Sequence, residues 1–349
     1  MTTRVAINGF GRMGRLALRA AWDLPNFNKN TADENKETFE IVHINEVAGN
    51  AETAAHLLKY DSVHGIWEQA VSAQNSSLVI GNKTISYSSN KCIEDTSWKK
   101  LNIDIVIDCT GKFKSKEKLQ AYLDQGIKKV VVSAPVKDGT LNVVMGVNHH
   151  LYNPDQHDIV TAASCTTNCI APVVDVIQNE FGIKHGTITT IHDITNTQSI
   201  LDEYHSDLRR ARACGQSLIP TSTGSATAIT EIFPELKGRL NGLAVRVPLA
   251  NASLTDCVFE LEQAVTKKQV NNALKAASEN YLYNILGYED KPLVSVDYTN
   301  DTRSAIIDAP LTMVINNTQL KLFVWYDNEI GYVNRMMELV CLVGSTIKK

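Results

Sequence analysis

The segment Gly9-Phe10-Gly11-Arg12-Met13-Gly14 constrains this chain more than any other. It follows an apolar, β-branched run, Val5 to Ile7, and precedes a helical pattern, Leu16 to Trp22, so a strand must turn sharply into a helix here. Glycines at these places let the turn tighten and let the backbone approach a pyrophosphate. The unpaired N–H groups and positive end of the helix then attract that anion. A second strand, Ile41 to Ile44, runs into Asn45-Glu46. An acid at that strand end holds the hydroxyls of an adenosine ribose and repels a 2′-phosphate, which favours NAD over NADP. A glycine-rich turn in an α/β protein without a nucleotide is the bland alternative.

Beyond the turn, short apolar runs at Ile103 to Ile107, Val130 to Val132 and Val143 to Met145 alternate with helical stretches such as Ala51 to Lys59. That rhythm predicts a Rossmann-type α/β half with a doubly wound parallel sheet. The polar segment Asn26 to Glu37 reads as a solvated loop. After Cys165 the texture changes. A helix around Val173 to Glu180 is followed by longer strands at Thr187 to His192, Leu243 to Val247, Ser253 to Leu261, Leu311 to Asn316 and Lys321 to Tyr326. Few helices separate the last of these, which predicts an α+β half with a mostly antiparallel sheet. A length of 349 residues suits two domains at about 150 residues each.

Composition removes other classes. Lys and Arg total 34 against 38 Asp and Glu, a net charge of −4, which is the wrong sign for a nucleic-acid binder. No run approaches the roughly 18 uninterrupted apolar residues of a membrane span. The strand begins too early to leave room for a signal peptide. Seven cysteines without Cys-x-x-Cys spacing suggest neither a disulfide framework nor a zinc site, and the expectation is no metal and a reduced, cytoplasmic setting. His149-His150 is assigned no ligand role, because neighbours on a strand point to opposite faces.

The second informative segment is Ala162-Ala163-Ser164-Cys165-Thr166-Thr167-Asn168-Cys169, between the strand Asp158 to Thr161 and a helix. A thiolate at a helix N-terminus is stabilised by the end-charge, and a nearby histidine lowers its pKa further below the free value of about 8.5. His192, at the end of the strand from Thr187, is the candidate base. Taken alone, Cys165 could equally be one more buried small hydrophobe. Cys169 reads as a packed thiol rather than a redox partner, and Pro172 predicts a kink early in the helix.

Together with Ile7-Asn-Gly-Phe-Gly-Arg12 and Ser164-Cys-Thr-Thr-Asn-Cys169, the segments Asp207-Leu-Arg-Arg-Ala-Arg-Ala213, Pro220-Thr-Ser-Thr-Gly224, Arg246-Val-Pro248 and Trp325-Tyr-Asp-Asn-Glu329 occur in order along the chain. This pattern resembles phosphorylating glyceraldehyde-3-phosphate dehydrogenase. The resemblance implies that Cys165 attacks the aldehyde of glyceraldehyde 3-phosphate to give a thiohemiacetal. His192 would take its hydroxyl proton as hydride leaves for NAD, and inorganic phosphate would cleave the resulting thioester. It assigns Thr195 and Arg246 to the substrate phosphate, and Ser164, Thr166, Thr223 and Gly224 to the attacking oxyanion, with Arg210 nearby. To NAD it assigns Gly9, Phe10, Gly11, Arg12, Met13, Gly14, Glu46, Thr110, Asn328 and Tyr332, with Arg12 and Met13 acting mainly through backbone N–H groups. It further implies a homotetramer. The expected domains are 1–164 with a C-terminal helix in 327–349 returning to it, and 165–326 for catalysis.

Departures point to a branch. Glu46 replaces the commoner Asp, Ile330 stands where Trp is usual, and His192-Asp-Ile-Thr-Asn-Thr-Gln198 lacks the serine and aromatic residue that usually follow the histidine. Erythrose-4-phosphate dehydrogenase shares Asn-Glu at the strand end but lacks the Thr223-Gly224 pair. Segments such as Ser225-Ala-Thr-Ala-Ile229 and Ile285-Leu-Gly-Tyr-Glu289 are similar to the glyceraldehyde-3-phosphate dehydrogenases of arsenical-resistance operons. In those, arsenate replaces phosphate, giving 1-arseno-3-phosphoglycerate for export by a membrane permease. An NAD-bound sensor that has lost turnover is the alternative of another class, opposed by the retained Cys165 and His192.

Overall fold

The computed structural model describes residues 2–24 and 38–347. The loop expected at Asn26 to Glu37 lies outside them. The chain forms two compact units: residues 1–143, 149–163 and 333–349 make the first, and residues 144–148 and 164–332 the second.

In the first unit, β1 (Thr2–Asn8), α1 (Arg12–Asp23), β2 (Thr38–Asn45) and α2 (Ala51–Lys59) follow in order. Next come β3 (Tyr60–Asp61), β4 (Gly65–Ile66), β5 (Val71–Gln74), β6 (Ser77–Ile80) and β7 (Lys83–Ser88). The unit continues with β8 (Ile105–Asp108), α3 (Lys116–Asp124), β9 (Lys129–Val132), β10 (Leu141–Asn142) and β11 (Ile159–Thr161). Apart from the β3–β4 hairpin, these strands form one nine-stranded sheet in the order β10-β11-β9-β8-β1-β2-β7-β6-β5. Pairing is parallel from β10 to β7 and antiparallel across β7, β6 and β5. Every residue of β8 and β9 is buried, as expected of strands covered on both faces. Trp98 and Tyr122 fill the core beside Val106, Leu119 and Val130.

Two expectations need correction here. The apolar run Val143 to Met145 is not a strand. The ladder forms just before it, at β10, while Val143 and Val144 are buried without joining a strand. His149 and His150 lie on a short helical turn, Ala-free and of the 3-10 type, rather than on a strand, so the opposite-faces argument does not apply to them.

The second unit contains α4 (Cys165–Phe181), β12 (Ile183–His192), β13 (Ile219–Ser222), α5 (Ser225–Ile232), β14 (Leu240–Arg246) and β15 (Ser253–Leu261). After these come α6 (Lys267–Glu279), β16 (Leu286–Glu289), β17 (Ala305–Asp308), β18 (Met313–Ile315) and β19 (Gln319–Tyr326). A last helix, α7 (Ile330–Ser345), starts in this unit and continues into the residues of the first. The eight-stranded sheet runs β13-β14-β12-β15-β19-β17-β16, with β18 paired to β19. It is mostly antiparallel, with parallel pairings at β12–β14 and β16–β17. Burial alternates along β15 and β19, so each has one face in the core, against α4. The helix α4 continues through Pro172, capped at its start by Ser164 and ended by Gly182 at φ +70°.

Candidate active site

The first unit brings its candidate residues to the carboxyl ends of the parallel strands, where ligands of open α/β sheets bind. Gly9 has φ +89°, and a Cβ there would lie 2.6 Å from the Cys109 carbonyl carbon and the Thr110 nitrogen. A Cβ on Gly14 would lie 2.2 Å from the Gly9 carbonyl oxygen, so this turn closes only with glycine at both places. At Gly11, by contrast, a Cβ would meet nothing within 4 Å. Gly11 is the N-cap of α1, no side chain caps that helix end, and its first turn carries no acid. An open, uncapped N-terminus suits a dinucleotide's pyrophosphate.

Glu46 reaches the same turn. Its Oε2 accepts from the Phe10 N–H at 2.6 Å and its Oε1 from the Ala48 N–H at 2.8 Å. Arg12 forms an ion pair with Asp61 at 2.5 Å. Met13 lies in the first turn of α1. Thr110 donates its N–H and hydroxyl to Asp108 Oδ1 at 3.0 and 2.7 Å. Asp108, Tyr122, Asn8 and Asn45 make a buried polar row across the ends of β8, β1 and β2 that the sequence did not single out. Burial raises the Asp108 carboxyl to about 6, against the hydrogen bonds from Tyr122 and Thr110 that lower it.

The second unit is organised around the start of α4. Ser164, extended at φ −125°, caps the helix by accepting from the Thr167 N–H at 3.1 Å, which makes Cys165 its first residue. The preceding Ala163 takes φ +54°, a left-handed conformation that is strained for a residue with a Cβ. His192 is the last residue of β12, and its Nε2 lies 3.6 Å from Cys165 Sγ. Burial alone would push the thiol up. The His192 hydrogen bond and charge overcome this and hold it below the ordinary thiol range. Burial likewise opposes the imidazolium, but Asp193 and Cys165 raise His192 to about 9.

Arg246, at the end of β14, is paired with His192 in the parallel ladder. Its Nη1 is 2.6 Å from His192 Nδ1 and donates to the Asp193 carbonyl at 3.1 Å, while its buried Nε has no hydrogen-bond partner. A desolvated guanidinium edge of this kind calls for an anion. Thr195, just beyond His192, donates its N–H to Gln198 Oε1 at 2.7 Å.

A row of hydroxyls joins the starts of two helices. Ser164 Oγ lies 2.7 Å from Thr167 Oγ1 and 3.3 Å from Ser225 Oγ, and Thr223 Oγ1 donates to Ser225 Oγ at 3.2 Å. Gly224 is the N-cap of α5, with no side-chain cap. Thr166 stands apart from this row: it is buried, and its hydroxyl is 3.0 Å from that of Tyr326, which also contacts Thr190 at 2.8 Å. Arg210 sits on a turn beside the edge strand β13, where its Nε donates to Thr221 Oγ1 at 2.8 Å.

Asn328 and Tyr332 are both buried in this unit, and the Asn328 amide donates to Asp193 Oδ2 at 3.0 Å. Asp193, Ser253, Tyr326 and Ser225 were all missed by sequence reasoning. The only signal for any of them was the unusual residue after His192. Cys169 is fully buried with its Sγ 3.8 Å from Thr255 Oγ1, and burial holds its thiol well above the usual range, as expected of a packed rather than reactive cysteine. No disulfide joins any of the seven cysteines. No cluster among the described residues could hold a metal ion, and no described helix is long and apolar enough to cross a membrane.

Comparison with known proteins accords with this geometry. Residues 3–116 match the family model for the NAD binding domain of glyceraldehyde 3-phosphate dehydrogenase, and residues 164–328 match that for its C-terminal domain. The chain is 57% identical over 349 residues to glyceraldehyde-3-phosphate dehydrogenase 3 of Nostoc sp., covering 100% of both chains. It is 47% identical to glyceraldehyde-3-phosphate dehydrogenase 1 of Bacillus cereus over 98% of this chain and 99% of that one. With the Geobacillus stearothermophilus glyceraldehyde-3-phosphate dehydrogenase the identity is 46%, over 99% of each. A glycine turn built for a dinucleotide, a cysteine–histidine pair at a helix start and matches along the whole length lead to one conclusion: the chain belongs to the glyceraldehyde-3-phosphate dehydrogenase family.

Proposed function

We propose that this enzyme oxidises glyceraldehyde 3-phosphate through a covalent Cys165 intermediate and passes the acyl group to an inorganic oxyanion. The observation that carries the reading is the thiol of Cys165 at the start of α4, 3.6 Å from His192 Nε2. The Cys165 thiolate attacks the aldehyde carbon, forming the C–S bond while the carbonyl π bond breaks, and the His192 imidazolium protonates the resulting alkoxide to give the thiohemiacetal and leave a neutral ring. His192 accepts the hydroxyl proton as the carbon is oxidised to the thioester. NAD, when bound, accepts the hydride. Gly9, Phe10, Gly11, Arg12, Met13, Gly14, Glu46 and Thr110 would hold its adenosine and pyrophosphate, and Asn328 and Tyr332 would serve its nicotinamide.

Arg246 and Thr195 take the substrate phosphate. The unpartnered Arg246 Nε supports this, since a planar guanidinium can grip two phosphate oxygens. The second anion is received at the paired starts of α4 and α5, through Ser164, Thr166, Thr223 and Gly224, with Arg210 contributing positive charge. Its attack on the thioester carbon breaks the C–S bond and returns the thiolate. Phosphate yields 1,3-bisphosphoglycerate and arsenate yields 1-arseno-3-phosphoglycerate; both are tetrahedral and suit the same hydroxyl row. The likeness to the arsenic-associated branch supports arsenate as acceptor and a partnership with an exporting permease. A nucleophilic thiol supports a reducing, cytoplasmic setting. Exposed apolar residues from Ile200 to Leu218, among them Tyr204 and Leu208, support burial against other copies in a homotetramer.

The test is steady-state NADH formation with glyceraldehyde 3-phosphate and with erythrose 4-phosphate, each with and without phosphate or arsenate. The reading predicts turnover of the three-carbon substrate that requires an oxyanion. Faster turnover of the four-carbon aldehyde without any oxyanion would overturn it.

A further inference from the structure

Directly after the base stands Asp193, 1% exposed. Its Oδ1 lies 2.7 Å from His192 Nδ1 and accepts from Ser253 Oγ at 3.1 Å, while its Oδ2 accepts from the Asn328 amide at 3.0 Å. Its own N–H lies 3.2 Å from Ser253 Oγ. A buried carboxylate with donors on both oxygens is fixed in place and fixes its donors in turn. At this position the resembling enzymes usually carry serine, which cannot supply that charge.

We propose that Asp193 is a positioning residue for the aldehyde oxidation: it directs His192 through Nδ1 so that Nε2 faces the thiol, and it holds the Asn328 amide with the same carboxylate. This rests on the reading of Cys165 and His192 as nucleophile and base.

The contacts at Nδ1 show why an acid matters there. Arg246 Nη1 is 2.6 Å from this nitrogen, yet one ring nitrogen cannot accept from a guanidinium and donate to a carboxylate at once. When Nδ1 carries a proton it donates to Asp193, whose carbonyl oxygen lies 2.9 Å away and whose carboxylate Oδ1 lies 2.7 Å away; Arg246 also donates to that carbonyl, and Nε2 is the site that exchanges a proton with the reacting groups. When Nδ1 instead accepts from Arg246, a neutral ring carries its proton on Nε2 and cannot serve as base. Asp193 selects the first arrangement, and an anion that draws Arg246 to itself reinforces the choice. The ionisable groups facing His192 from other elements are Cys165 on α4, Arg246 on β14 and Tyr326 on β19, with Arg210 opposing the charge of Arg246. Of these, Cys165 supports the imidazolium and Arg246 opposes it.

The experiment is an NMR titration of the His192 Cε1–H in the full-length protein, assigned by its loss in His192→Gln. It is run on the wild type, Asp193→Asn and Asp193→Ser, the last being the family's usual residue. Both variants should lower the His192 midpoint by at least about one pH unit and move the acidic limb of kcat down with it. They should reduce kcat about 10- to 100-fold, with KM changed less than about threefold. The titration needs no substrate, so a wrong assignment of the aldehyde would abolish turnover and leave this readout intact. A His192 midpoint unchanged in either variant that melts like the wild type would overturn the proposal.

Discussion

The helices at the two places where chemistry is expected, α1 in the first unit and α4 in the second, begin in opposite ways. In the first, β1 enters α1 through glycines, the turn tolerates no side chain at Gly9 or Gly14, and the helix end stays uncapped. In the second, the chain arrives from β11 of the first unit through Ala163 at φ +54°, Ser164 caps the helix, and the thiol of Cys165 occupies its first position. One helix end is stripped so that a ligand's charge can sit on it. The other carries its own ionisable group, with His192 Nε2 3.6 Å from it. On the proposed function, the same backbone motif serves binding where side chains are removed and covalent chemistry where one is placed.

Substitutions can separate these roles. The largest effect is expected from Cys165→Ser, which should cut NADH formation by about a thousandfold or more while NAD affinity, read by calorimetry, changes less than about threefold. Equal losses of both would end the distinction. Gly14→Ala should do the reverse: its Cβ collides with the Gly9 carbonyl, so NAD affinity should fall about a hundredfold, whereas alkylation of Cys165 should proceed at the wild-type rate. Glu46→Ser is expected to reduce the preference for NAD over NADP about tenfold, measured as the ratio of kcat/KM values, because the carboxylate that repels a 2′-phosphate is gone. The smallest effect belongs to Ser164→Ala. Loss of the cap on Thr167 should cost about 1 kcal/mol and lower Tm by about 2–4 °C. A variant that melts unchanged would show that this helix end does not depend on its cap.

Legibility in the sequence followed the same division. The glycine turn, β1, β2 and α2 were readable because each is a local signal: spacing of glycines, β-branched runs, or helical periodicity. The strands β5 and β7 were not, since both are largely polar and leave no apolar run to notice. Val143 and Val144 misled for the opposite reason, being apolar to fill a core rather than to extend a ladder. In the site, Cys165 and His192 were readable from their flanks. The link from Ser164 to Ser225 spans 61 positions and exists only once α4 and α5 start side by side. Asp193 was visible as an odd residue after the base, but its bonds to Ser253 and Asn328 require three distant segments to meet, which no local pattern encodes.

The hydroxyl row from Thr167 through Ser164 and Ser225 to Thr223 has a further consequence. Each hydroxyl owns a single proton to give, so the direction of one link limits the direction of the next. A guest oxygen that claims a proton from one member therefore re-sorts its neighbours. The row answers an arriving negative charge by swinging O–H dipoles a fraction of an ångström, with every heavy atom left in place. It behaves as a small solvent whose heavy atoms were placed when the chain folded, leaving only O–H directions to adjust.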